Sequence, residues 1–114
     1  MQSLKHNSLF RAVYSQGASF ADRYLVLYKL VNDEKLSRFG ITVSGKVGKA
    51  VVRNKIKRRL KEIIRLCPKP LKEGYDIVIL ARKPASEADY ASLEKSVMRL
   101  LAKADMLKER EKQS

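Results

Sequence analysis

Apolar positions along the chain follow two different periods, and the switches between them mark the elements. In residues 7–16, Leu9 and Val13 form one i, i+4 pair and Phe10 and Tyr14 form another, which predicts a short helix. Asn7 is a candidate N-cap and Gly17 a candidate stop. So short a helix cannot bury both pairs against one layer: either it is sandwiched or one pair lines an open groove. Residues 24–30 are rich in β-branched and aromatic side chains and predict a strand, with Tyr24, Val26, Tyr28 and Leu30 on one face and Leu25 and Leu27 on the other. Residues 19–22 read as a shorter strand leading in, and residues 32–35 as a polar turn. Residues 38–44 form a second strand with Phe39, Ile41 and Val43 on one side.

A basic loop bracketed by Gly45 and Gly48 then opens the main helix, residues 50–66. Val52, Ile56, Leu60, Ile63 and Ile64 make its apolar stripe. Asn54, Arg58, Lys61 and Arg65 lie opposite, with Arg53, Lys55, Lys57 and Arg59 on the flanks. Pro68 and Pro70 stop the helix. Residues 75–81 are too apolar for an edge and predict an interior strand ended by Pro84. Ser86, with Asp89 three residues on, is the expected cap of a last helix whose stripe is Tyr90, Leu93, Val97, Leu100, Leu101 and Ala104. Residues 107–114 are expected to fray. With no repeat and no linker, residues 1–114 read as one domain: an α+β sandwich on a single mixed sheet.

Charge changes the picture most. The 114 residues carry 25 Lys and Arg against 12 Asp and Glu, a net of +13. That exceeds what solubility needs and implies a polyanionic partner. Between residues 46 and 65 the bases are Lys46, Lys49, Arg53, Lys55, Lys57, Arg58, Arg59, Lys61 and Arg65, and the only acid is Glu62. A run so one-sided carries self-repulsion and points to nucleic acid. Its glycine-flanked loop and helix N-terminus favour an anion, and Arg and Lys recur behind it on every turn. Asn54 adds a group able to read a base edge or a 2′-hydroxyl.

Other chemistry is thin. One cysteine excludes an intramolecular disulfide and a Cys-rich zinc site, and one histidine leaves no nucleophile–base set. His6 reads as a solvated end residue, Cys67 as a helix-end core residue, and Glu73 and Asp76 as solvated loop charges. No apolar run approaches the ~20 residues of a membrane span, and the N-terminus has no long apolar stretch, so the expected address is the cytoplasm. Charge alone leaves a structural ribosomal or nucleoid protein open as a rival.

The pattern from Ala50 through Arg53, Asn54, Lys55, Ile56, Lys57, Arg58 and Leu60 to Lys61 resembles the signature of the bacterial ribonuclease P protein subunit. That family is named for an Arg-Asn-Arg motif; Lys55 here keeps the charge of the third position and loses its fork. Further resemblances follow in order: Phe10, Val13, Tyr14 and Gly17; Val26 to Tyr28; Arg38, Gly40, Val43 and Ser44; and Ala81 to Pro84. The basic N-terminal arm is thin, with only Lys5 and His6.

The resemblance implies an α-β-β-β-α-β-α fold with a left-handed βαβ crossover, similar to a domain of a small-subunit ribosomal protein. It implies that the catalytic RNA subunit cleaves the 5′ leader from precursor tRNA with Mg2+ held mainly by RNA and substrate. The chain would then contribute no catalytic residue and need no obligate protein partner and no membrane. Lys46, Lys49, Arg53, Asn54, Lys55, Lys57, Arg58, Arg59, Lys61 and Arg65 would dock the catalytic RNA. Phe10, Tyr14, Tyr24, Val26 and Tyr28 would line a cleft for the leader.

Overall fold

The computed structural model describes residues 2–108. In chain order the elements are β1 (Gln2–Ser3), α1 (Asn7–Gln16), β2 (Ala18–Ala21), β3 (Leu25–Val31), β4 (Arg38–Val43), α2 (Ala50–Arg65), β5 (Tyr75–Ala81), a 3-10 helix (Lys83–Glu87) and α3 (Tyr90–Lys103). The strands make one mixed sheet in the order β1-β4-β5-β3-β2. β4 runs parallel to β1 and β5, and β3 runs antiparallel to β5 and β2. Parallel β4 and β5 need a crossover, and α2 provides it.

The central place of β5 follows from its composition. Ile77 and Ile79 bury on the α2–α3 side with Leu25, Leu27, Phe39 and Val43, while Val78 buries on the other side with Leu4 and Val13. A strand covered on both faces needs apolar residues at successive positions. The stripe of α2 turns Ile56, Leu60, Ile63 and Ile64 into the larger core, and α3 adds Leu93, Val97, Leu100 and Leu101. Among the described residues, the shorter helix α1 and Leu4 cover the opposite face. Val13 is fully buried, whereas Leu9, Phe10 and Tyr14 are half-buried. The groove alternative for α1 is therefore the one realised.

Several local expectations change. β1 is a two-residue strand without an apolar signal, held because Leu4, which follows it, buries and donates its N–H to the Phe39 carbonyl at 2.8 Å. The N-cap of α1 is His6, not Asn7, and makes no side-chain cap. Gly17 ends that helix in extended conformation; a Cβ there would lie 2.6 Å from the Val13 carbonyl oxygen and 2.8 Å from that of Lys29. Ser86 falls in the 3-10 turn after Pro84, and Asp89 caps α3 by accepting the Ser92 N–H at 2.8 Å. Leu107 does not fray, since it bridges Leu71, and the Lys108 N–H reaches the Pro70 carbonyl at 2.8 Å. The rest of the expected tail, 109–114, lies outside the described residues.

Candidate nucleic-acid interface

β1 covers β4 only at Arg38 and Phe39, so the edge of β4 from Gly40 onward is open among the described residues. α1 stands on one side of that edge and α2 on the other. Between them run two adjoining clefts of about 600 Å³ each, sharing Phe10, Ile41 and Lys57. Phe10 and Tyr14, with Asn7 and Arg11 of the same helix and Leu4 before it, supply the α1 wall, and Lys57, Lys61 and Arg65 supply the α2 wall. An aromatic wall thus faces a cationic one across a strand edge.

The aromatic wall is built in layers. Phe10 lies on Gly40, where an added Cβ would sit 2.4 Å from its Cζ. Tyr14 donates its hydroxyl to Thr42 Oγ1 at 2.6 Å and meets the Tyr28 ring edge-on, with centroids 5.0 Å apart and planes at 88°. Both rings stay half-buried, with surface left to stack on. Val26 shares the sheet face of Tyr28, one register step along, between Ala21 and Leu80. The structure thus groups Phe10, Tyr14 and Tyr28 on one side of the sheet, while neither Tyr28 nor Val26 lines the two clefts.

Tyr24 does not join them. It precedes β3 and packs against the larger core on the opposite side of the sheet. The cause is Asp22, whose Oδ1 accepts the N–H groups of both Tyr24 and Leu25 at 2.9 Å and closes a turn there. A residue in that turn does not obey the strand's alternation.

The cations of α2 are divided among three directions. Lys57, Lys61 and Arg65 line the groove. One turn before Lys57 lies Arg53, half-buried, its Nε shielded and without a hydrogen-bond partner among the described residues. Asn54 and Arg58 point away from the core and are exposed, as is Lys55. Arg59 turns back, its Nη1 at 3.5 Å from the Ala88 carbonyl oxygen. In the loop before α2, Lys46 and Lys49 are exposed while Val47 is buried and anchors it. The first turn of α2 has neither an acidic residue nor a side-chain cap. Neither Gly45 nor Gly48 has a positive φ, so the loop does not depend on glycine's conformational freedom.

No group of three or more His, Cys, Asp and Glu comes together among the described residues. Asp76 is not a loop charge: it is buried in β5, accepting Arg38 Nε at 2.7 Å, Arg38 Nη2 at 2.8 Å and Asn32 Nδ2 at 2.8 Å. That carboxylate raises the Arg38 pKa through its hydrogen bonds. The Asp76 carboxylate is thereby committed to structure.

Sequence reasoning missed Gly40 and Thr42 as floor residues of the groove and the turning of Lys57, Lys61 and Arg65 into it. One signal was available: a glycine inside an apolar strand marks a close approach by another group.

Known proteins carry this architecture. The Ribonuclease P family model matches residues 1–105. A ribonuclease P protein component from Clostridioides difficile is 45% identical over 106 residues, covering 92% of this chain and 93% of that one. One from Caldanaerobacter subterraneus is 41% identical over 112 residues, covering 98% and 97%. The structure is similar to that of the Staphylococcus aureus RNase P protein, with a TM-score of 0.87 at 33% identity over 95% of this chain and 99% of the other. It is also similar to the Thermotoga maritima RNase P protein, with a TM-score of 0.79 at 33% identity over 90% and 97%.

Proposed function

The chain belongs to the ribonuclease P protein family, and from that premise we propose how its surfaces divide the work of the ribonucleoprotein. Membership makes it the protein component of the ribonuclease P endoribonuclease, with a role in tRNA 5′ maturation and an RNA partner. The finer reading is that the groove along β4 holds the 5′ leader of precursor tRNA. The exposed side of α2, with Asn54, Lys55 and Arg58, and the loop with Lys46 and Lys49 dock the catalytic RNA.

The observation that carries this reading is the groove with one aromatic and one cationic wall. Bases stack on ring faces with little sequence preference while cations follow the phosphates, which suits a leader of varying sequence. Phe10 and Tyr14 stack, Tyr28 buttresses Tyr14, and Lys57, Lys61 and Arg65 neutralise the strand. Tyr24 is left out of the leader set and Arg59 out of the docking set, each being turned into the protein.

Cleavage on this reading belongs to the RNA. The acids that the fold brings inward do not form a magnesium cage: Asp76 already accepts three hydrogen bonds, and Asp22 takes backbone N–H groups. Mg2+ would be held by RNA phosphates and substrate, and the chemistry it would supply there is an activated water for phosphodiester hydrolysis. The protein's residues bind and orient. The proposed compartment is the cytoplasm.

The test is equilibrium binding of holoenzyme reconstituted with a bacterial catalytic RNA. Phe10→Ala is expected to weaken precursor tRNA about tenfold, the loss of one stacked base, and to leave mature tRNA unchanged. Equal loss for both tRNAs would show Phe10 to be structural and the groove to lie elsewhere.

A further inference from the structure

Two positions on β4 carry the two rings of the groove. Phe10 and Tyr14 stand four residues apart on α1, a rise of about 6 Å. Gly40 and Thr42 stand two residues apart on β4, a rise of about 6.6 Å. The steps match, so each ring meets its own strand residue: Phe10 lies on Gly40, and the Tyr14 hydroxyl donates to Thr42 Oγ1 at 2.6 Å.

We propose that Gly40 and Thr42 are positioning residues of the leader groove, Gly40 by seating the Phe10 ring on bare backbone and Thr42 by holding the Tyr14 ring through its hydroxyl. The proposal rests on the reading of the groove as the leader site and goes beyond it in assigning what aims the rings.

Gly40 is not there for its backbone freedom, since its φ is not positive. Glycine inside a strand is otherwise unfavourable, so the space it leaves is its use. A Cβ at that place would lie 2.4 Å from Phe10 Cζ and 2.6 Å from Cε1, and the ring would have to leave its seat. Thr42 is β-branched, which restricts its χ1 and fixes the acceptor. The edge-on contact with Tyr28 supports the Tyr14 ring from the sheet side. A ring held in place before the RNA arrives loses no freedom on binding, and preorganisation of this kind raises affinity without any new interaction. It also occupies the phenol hydroxyl, so Tyr14 offers a ring face to the leader rather than a donor.

The experiment compares dissociation constants of reconstituted holoenzyme for precursor and mature tRNA. Thr42→Val keeps the shape and strand preference and removes the hydroxyl. It is expected to weaken precursor binding about three- to tenfold, the range of one hydrogen bond, with mature tRNA unchanged. Thr42→Ser is expected to restore it. Tyr14→Phe is expected to show the same loss as Thr42→Val, and the double variant no more than either. Gly40→Ala is expected to reproduce Phe10→Ala; because it can also disturb folding, the Thr42 series decides.

Unchanged precursor affinity in Thr42→Val, equal losses for both tRNAs, or additive losses in the double variant would overturn the proposal. Phe10→Ala and Tyr14→Ala separate it from its premise. If they abolish the precursor preference while Thr42→Val does not, only the positioning role fails. If they leave the preference intact, the groove reading fails and the positioning role with it.

Discussion

Asp22 joins the turn between β2 and β3 to α3. Its Oδ1 takes two backbone N–H groups, and its Oδ2 accepts the Ser96 hydroxyl and Arg99 Nη1, the latter at 3.1 Å. Burial pushes this carboxyl up, but the Ser96 and backbone hydrogen bonds with the Arg99 charge outweigh it and hold the pKa below the ordinary value. An unfolded aspartate titrates near about 3.9, so the stabilisation is fully present above that value and is lost as pH falls through the lower folded one. Asp22→Asn is therefore expected to flatten the acid limb of a stability–pH curve measured by urea unfolding. Limbs of the same steepness for both proteins would remove Asp22 as the cause. A second carboxylate, Asp76, is buried in β5 with Arg38 and Asn32 as its partners. Asp76→Ala strands the Arg38 guanidinium and Asn32 amide, and is expected to cost about 3 kcal/mol in the same assay. At this scale the sequence was only partly legible. The nearly unbroken apolar run showed that β5 is an interior strand, yet nothing local marked Asp76 as the partner of an arginine 38 positions earlier. Tyr24 was misplaced for the same reason, because the Asp22 turn that reorients it depends on side-chain hydrogen bonds.

Element boundaries were more legible, because they depend on local sequence. α2 begins and ends within a residue of its predicted span, since its stripe and Pro68 act locally. β5 coincides with its predicted strand. What a helical wheel does not contain is the neighbour. Opposite the stripe of α2 and on its flanks it shows cations on every turn without dividing them, whereas α1 and the open edge of β4 turn Lys57, Lys61 and Arg65 into a groove wall. The division can be measured. Lys57→Ala with Lys61→Ala is expected to reduce the affinity difference between precursor and mature tRNA. Asn54→Ala with Arg58→Ala is expected to spare that difference and to weaken the catalytic RNA. In each case the log–log salt slope for the affected RNA falls by roughly 0.7–0.9 for every phosphate no longer neutralised, one each for Lys57, Lys61 and Arg58. Identical effects of the two pairs on both RNAs would mean that α2 presents one undivided surface.

For the molecule as a whole, the proposed division puts two polyanionic strands on adjoining sides of one helix. With side chains, a helix is about 10–12 Å across, and the Debye length at 0.1 M salt is about 10 Å. Leader and catalytic RNA would then feel each other's charge directly, and α2 would be the counterion between them. This accounts for the uneven distribution of charge: between residues 46 and 65 nine bases face one acid, while residues 87–114 balance at six of each. A charge that offsets repulsion between strands can be replaced by Mg2+, whereas one that reads a base cannot. Arg58→Ala with Lys61→Ala is accordingly expected to raise the Mg2+ concentration for half-maximal cleavage of precursor tRNA by reconstituted holoenzyme. Saturating Mg2+ is expected to bring its rate back to that of the wild type. Lys95→Ala, an exposed cation of the balanced α3 segment, is expected to leave the Mg2+ requirement unchanged. If the Lys95 variant shifts it as far per charge, net charge alone sets the requirement and the position of α2 between two strands has no special role. If the α2 variant stays slow at every Mg2+ concentration, Arg58 or Lys61 makes an interaction that charge neutralisation does not describe.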